Sequence, residues 1–171
     1  MPASPGPRLL ALWRSLSPRP GGRWLFGRIL GRSVPYTGSI RPRVLELRPG
    51  FARVAMHDRR AVRNHLQSVH AIALINLAEV ASGLAMLTAL PATRRGIVTG
   101  ISVEFLKKAR GMLIAEADVT LPPEQDAPFD LPLLSEVRDS AGDAVARATV
   151  IWRIAPVVAR PHEMDGARGD G

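Results

Sequence analysis

NHLQSVHAIALINLAEVASGLAMLTAL, residues 64–90, is the stretch on which the reading of this chain turns. From Ala71 to Leu90 it runs without Lys, Arg, Asp, Pro or an aromatic residue, and Glu79 is its one charge. Apolar residues lie on all sides of the helical wheel, so a helix here is buried rather than half-exposed. Ser68 reads as its cap, because a Ser hydroxyl accepts from an early orphan amide. Pro91 and Gly96 close it. At 100° per residue, Asn76, Glu79 and Gly83 fall within about 60° of one another, which makes one narrow polar face. Gly83, one turn after Glu79, leaves open space beside the carboxylate. A buried carboxylate is costly unless it is paired, hydrogen-bonded or protonated. Glu79 therefore either holds a buried network, with Asn76 or with a residue of a partner chain, or does chemistry. Twenty apolar residues also suffice to cross a membrane. Against a span, a mid-helix charge costs roughly 2.5–3.5 kcal/mol on insertion scales. The strands that follow also need a helix to cover them.

The chain has 171 residues, 46% of them hydrophobic, enough for one domain with a substantial core. It has no Cys, which excludes a disulfide framework and a thiolate metal site. His57, His65, His70 and His162 form no paired zinc-ligand motif, so no metal or other cofactor is expected. The formal charge is +8, unevenly spread. Residues 1–39 hold six Arg (8, 14, 19, 23, 28 and 32) and no acid, whereas the remainder has 17 basic and 15 acidic residues, a net +2. A basic leader on a nearly neutral domain argues against a nucleic-acid-binding core.

In the leader, two short apolar clusters, Leu9–Trp13 and Trp24–Phe26, are set among the Arg, and Pro18, Pro20, Gly21 and Gly22 split what a signal peptide needs as one apolar run. A cytoplasmic protein is expected, with an Arg-rich transit peptide as the other reading. The leader reads either as one or two short helices lying on the domain or on an anionic membrane surface, or as a loose basic arm. On either reading residues 1–35 are expected to be dispensable for folding, and Trp13 and Trp24 are the anchors should they pack into the core. Residues 40–155 read as the domain and 156–171 as a flexible tail. Within the domain, Ile40–Leu47 and Phe51–Asp58 alternate around the turn Arg48-Pro49-Gly50 and make a hairpin. After the helix come strands at Gly96–Phe105 and Met112–Leu121 around the basic turn Lys107–Gly111. A last hairpin joins Leu131–Asp139 to Ala144–Ile154, with Gly142 in its turn. The expected class is α+β: one curved antiparallel sheet wrapped around one long helix, the helix's other face or the sheet's covered by a second subunit.

This order resembles the hotdog fold, and within it the acyl-CoA thioesterases. Many thioesterases of the phenylacetate-pathway type carry Asn, His six residues later and an acid nine after that; Asn64, His70 and Glu79 meet that spacing. The run Asn-His…Ser-Val-His-Ala…Asn-Leu-Ala-Glu and the turn Phe105-Leu-Lys-Lys-Ala-Arg-Gly111 are most similar to a thioesterase-like branch catalogued as a domain of unknown function. The resemblance covers about residues 36 to 155. His70-Ala71-Ile72 replaces the His-Gly-Gly of relatives, where the glycines let a thioester approach the backbone. The acid is Glu where many relatives have Asp, one methylene longer.

The resemblance implies an acyl-CoA thioesterase, with an acyl-CoA or related acyl thioester as substrate and a site at the interface of a homodimer or homotetramer. The competing reading on the same fold is a non-catalytic acyl or acyl-CoA binding protein. A third places the weight on membrane contact through residues 1–39. Glu79 is the candidate general base or nucleophile. The amide of Ala71, or of His70, at a helix start is the candidate carbonyl contact. Asn64 orients water or caps its loop; His70 is a helix-start residue or an acid/base. Asn76 and Gly83 are expected beside the acyl group. Lys107, Lys108 and Arg110 meet coenzyme A phosphates or form a solvated turn.

Overall fold

The computed structural model describes residues 5–157 apart from 124 and 126, so the tail beyond Val157 lies outside the described residues. The long apolar run forms a helix over Ala71–Ala89. Its cap is His70 rather than Ser68: the ring Nδ1 accepts the amide of Ile72 at 3.1 Å. Ser68 lies too early to reach those amides, and its hydroxyl donates instead to Asn64 Oδ1 at 3.1 Å.

Six strands surround this helix: β1 (Arg43–Arg48), β2 (Phe51–His57), β3 (Arg94–Phe105), β4 (Met112–Asp118), β5 (Phe129–Arg138) and β6 (Ala144–Pro156). They form one antiparallel sheet in the order β1-β2-β4-β5-β6-β3, and the helix touches every strand. Bulges between Val44 and Glu46 and between Val98 and Gly100 sharpen the local twist and help the sheet curl. Alanines on both surfaces, Ala52, Ala115, Ala117 and Ala148 on the strands and Ala78, Ala81 and Ala85 on the helix, are buried and permit close packing. Gly50 takes the positive φ of 78° that its turn requires and donates its amide to Thr88 Oγ1 at 3.2 Å, which ties the first hairpin to the end of the helix.

The leader is helical and packed. It forms α1 (Pro5–Leu16), α2 (Gly22–Ser33) and α3 (Pro35–Ser39), and the long helix is α4. In α1 the residues Leu9, Leu12, Trp13 and Leu16 recur at i, i+3, i+4 and i+7 and pack against the core. This helix lies on α4 so closely that a Cβ on Gly6 would overlap the Leu87 carbonyl. In α2, a Cβ on Gly27 would overlap the Pro42 carbonyl, so backbone meets backbone there too. The Trp13 and Phe26 rings meet edge to face at 5.2 Å, both buried.

These contacts correct two expectations. The side of α4 away from the sheet is covered in part by the chain's own α1 and α3, so covering it does not by itself demand a second subunit. The anchors of the leader are Trp13 and Phe26; Trp24 is 62% exposed. The apolar length that matched a membrane span belongs to a core helix, the one helix among the described residues long and apolar enough to cross.

Because Phe26 fills the core, we expect Phe26→Ala to lower the unfolding free energy by about 3–5 kcal/mol in urea titrations. A change below about 0.5 kcal/mol, the scale of surface substitutions, would restore the reading of a dispensable leader.

Candidate functional site

The start of α4 is built by its entry loop. Asn64 Oδ1 accepts from the amides of Leu66 (2.9 Å) and Ser68 (3.3 Å) as well as from the Ser68 hydroxyl, so its oxygen shapes the loop. The chain then runs beside the basic turn: the Val69 amide donates to the Ala109 carbonyl at 2.9 Å, and that of His70 to the Val62 carbonyl at 2.8 Å. Asp58 holds the two segments together. Its carboxylate accepts from Arg63 Nε at 2.6 Å and from the Gly111 amide at 3.2 Å, and the Arg63 bond lowers its pKa.

Of the first amides of α4, Ile72 donates to the His70 ring, and Ala73 and Leu74 donate to the His70 carbonyl. Among the described residues, no partner occupies the Ala71 amide. It therefore stays available at the positive end of the helix dipole, whereas the His70 amide does not. Ala71 lines a recess of about 260 Å³ together with Asn64, Ser68, Leu106, Lys107 and Lys108. The structure thus gathers Asn64, Ala71, Lys107 and Lys108 at one place. Lys107 is already engaged there, its Nζ 2.8 Å from Asp139 and 2.6 Å from Asp143. Lys108 and Arg110 have no ion pair among the described residues.

Glu79 lies elsewhere. It is eight residues along α4 from Ala71, about 12 Å at the helical rise. Its carboxylate is half-buried and has no hydrogen bond or ion pair among the described residues. Burial raises its pKa above the ordinary carboxylate value. The room Gly83 leaves beside it is no more than a methyl group's: a Cβ there would be in ordinary contact, 3.8 Å from Glu79 Oε1 and 3.8 Å from the Trp152 ring, so the expected open space is not found. Asn76 does not share this space as a free group, because its Nδ2 donates to the Tyr36 carbonyl at 3.0 Å and ties α4 to α3. Glu79 is thus not held by an Asn76 network.

Sequence reasoning missed Trp152. Its indole flanks Gly83, and its buried Nε1 has no hydrogen-bond partner. It comes from β6, opposite Val98 of the edge strand β3. Only the register of β6 against the helix reveals this; the bare sequence offers a Trp in an alternating strand.

Against this geometry stand the relatives. The model of a domain of unknown function, DUF4442, matches residues 22–154. No protein among the curated ones matches. The structural-genomics protein APC5556 is 33% identical with a TM-score of 0.76, over 88% of this chain and 97% of its own. The protein of unknown function PA5026 from Pseudomonas aeruginosa, described as a probable thioesterase, is 24% identical with a TM-score of 0.68, over 75% of this chain and 92% of its own. A mutant of the phenylacetic acid degradation protein PaaI from Thermus thermophilus is 24% identical with a TM-score of 0.59, over 70% and 97%. The last two bear on the fold. Matched by the family model over most of its length, the chain belongs to the DUF4442 family and has the hotdog fold, with a curved sheet around a central helix as in thioesterase-like proteins.

Proposed function

We propose that the protein is an acyl-CoA thioesterase whose site is completed by two chains. The observation that carries this reading is Glu79: a half-buried carboxylate with a raised pKa, set beside a glycine and with no partner among the described residues. A structural acid buried in this way is ordinarily bonded. A general base instead needs a lone pair left free and a pKa nearer neutrality.

One chain alone separates the acid from the free Ala71 amide by about 12 Å. The edge strand β3 offers the remedy. It is a sheet edge twelve residues long, with Ile97, Ile101 and Phe105 exposed at 65%, 40% and 50%. A long apolar edge is a template for pairing. A twofold axis through β3 runs the two α4 helices in opposite directions, so one chain's helix start approaches the other's mid-helix. In that homodimer the thioester carbonyl accepts from the Ala71 amide of one chain and faces Glu79 of the other. Glu79 takes a proton from water as the water oxygen bonds to the carbonyl carbon. The tetrahedral adduct collapses, the C–S bond breaks, and the coenzyme A thiolate regains a proton from the Glu79 carboxylic acid. Lys108 and Arg110 are the cations left to meet the carrier's phosphates. Asn64 shapes the loop at the helix start, and the His70 ring holds the cap.

A second reading has its own support. The side chains of Ala71 and Ile72 stand at the helix start where relatives have glycines, and Ala71 lines the recess. Such crowding suits a protein that binds an acyl thioester without hydrolysing it. An acyl-CoA hydrolysis panel on the purified protein separates the two.

If hydrolysis is found, we expect Glu79→Gln to lower kcat by about 10²-fold or more while the chain stays folded. An unchanged rate in the folded variant would remove Glu79 from the mechanism.

The same substitution has a stability signature. With a raised folded pKa, the folded chain binds more protons than the unfolded one above the ordinary Glu value of 4.5. Stability therefore falls as pH rises through that window and levels off above the folded pKa. Glu79→Gln removes this loss, so its Tm should exceed that of the wild type at pH 8, and the difference should shrink as pH falls toward 4.5. Equal pH dependence in the two proteins would contradict the burial of an unpartnered carboxylate.

Sedimentation at micromolar concentration should give twice the chain mass of 18.5 kDa, and Ile101→Glu on β3 should shift it toward the monomer. A wild-type monomer would dismiss the two-chain site.

A further inference from the structure

A second cleft, of about 1070 Å³, lies between α2, α3, the start of β1 and the end of β2. Arg28 and Arg32 of α2 line one wall. Arg41, Arg43, His57 and Arg59 line the other, with Trp24 at the rim. Among the described residues, no Asp or Glu lines it. Asp58, between His57 and Arg59 in the chain, turns to Arg63.

The pairing of arginines elsewhere makes the contrast. On the sheet, Arg48, Arg53, Arg138, Arg147 and Arg153 each meet a carboxylate. Among the described residues, none of the five arginines of the cleft has an ion pair. Arg28 and Arg32 are one turn apart on α2, a like-charge spacing that costs a helix stability. Arg59 donates to the Ser39 carbonyl, yet its buried Nε has no partner. Burial and the nearby charge of Arg41 both lower the Arg59 pKa. Arg41 itself holds a positive φ of 52°, uncommon for a residue with a side chain.

The backbone holds the two sides of the cleft in place. Gly27 and Gly31, one turn apart, seat α2 directly on Pro42 and Gly38. The two walls are therefore fixed close together by contacts that no side chain cushions. Arg59 is half-buried and the other four guanidiniums are exposed, Arg28 over the Trp24 ring at 5.0 Å; an anion entering the cleft would meet several of them at once.

We propose that this cleft binds the phosphate groups of an organic phosphate. Guanidinium forks suit phosphate oxygens, which accept several charge-assisted bonds at once. The volume exceeds what phosphate alone fills and matches a drug-sized or nucleotide-sized ligand. Trp24, over which Arg28 stacks at 5.0 Å, and Pro35 supply apolar surface for the organic part. Two sources present this chemistry, a soluble phosphate ester and a phospholipid headgroup. The site is separate from Glu79 and does not depend on whether that residue hydrolyses anything.

The test uses the full chain. Inorganic pyrophosphate is titrated by calorimetry against wild type, Arg28→Gln/Arg32→Gln, Arg41→Gln and Glu79→Gln. Pyrophosphate should bind the wild type, the double variant should bind at least about tenfold more weakly, Arg41→Gln should also weaken it, and Glu79→Gln should match the wild type. Arg28 and Arg32 are exposed and make no hydrogen bond among the described residues, so their variants should fold. Flotation with phosphatidylglycerol vesicles, against phosphatidylcholine, identifies the source. Binding to the anionic vesicles that pyrophosphate displaces and the double variant lacks assigns the cleft to a headgroup. Pyrophosphate binding without flotation assigns it to a soluble phosphate. Failure of the wild type to bind both pyrophosphate and the anionic vesicles, or equal binding by wild type and both Arg variants, would overturn the proposal.

Discussion

A helix whose polar face is one narrow strip has almost no side to turn toward water, and α4 imposes that condition on the rest of the chain. A six-stranded sheet meets part of it by curling until every strand touches the helix. The remainder falls to the leader, whose α1 lies along the outer side and whose α3 is tied to Asn76. With both in place, Glu79 is the polar side chain of α4 that has neither water on all sides nor a bond among the described residues. Its raised pKa is thus a product of how thoroughly its neighbours are buried.

Charge is distributed by the same division of labour. The outer surface of the sheet alternates arginines with carboxylates across neighbouring strands, as in Arg53 with Glu116 and Arg153 with Asp130. Such exposed pairs contribute little stability each, but they neutralise the surface. The leader has no acids with which to do likewise. Its six arginines remain as net positive charge, and the close backbone seam at Gly27 and Gly31 sets two of them facing Arg41 and Arg59.

Much of the hotdog domain was legible because its signals are local and strong. The uninterrupted apolar run gave α4 within a residue, and Gly50 and Gly142 marked turns that do need a positive φ. Strand ends moved by a few residues, as at β3, which begins at Arg94. The cap was misread because Ser68 is a better cap by type, whereas loop geometry brings the His70 ring to the Ile72 amide. The leader was half misread for a more general reason. Gly6, Gly22 and Gly27 look like breakers in a Pro- and Arg-rich stretch, but each is a place where a helix touches another backbone. The i, i+3, i+4, i+7 spacing of Leu9, Leu12, Trp13 and Leu16 was the available signal. At the candidate site, the resemblance to thioesterases singled out Asn64, His70 and Glu79, and the helix start singled out Ala71. That Glu79 lies apart from the other three follows from helical rise, and Trp152 from strand register, neither of which a motif conveys.

The seat of α1 against Leu87 also bears on how the chain is made. The leader leaves the ribosome before the domain it docks on, and α4 in turn has no complete sheet until β6 slots between β5 and β3. Trp13 and Phe26 therefore wait for their place in the core until the helix and sheet that follow them have been made. Helices made before the domain are among the last parts of it to settle, and the nascent domain is most vulnerable to association just before β6 emerges.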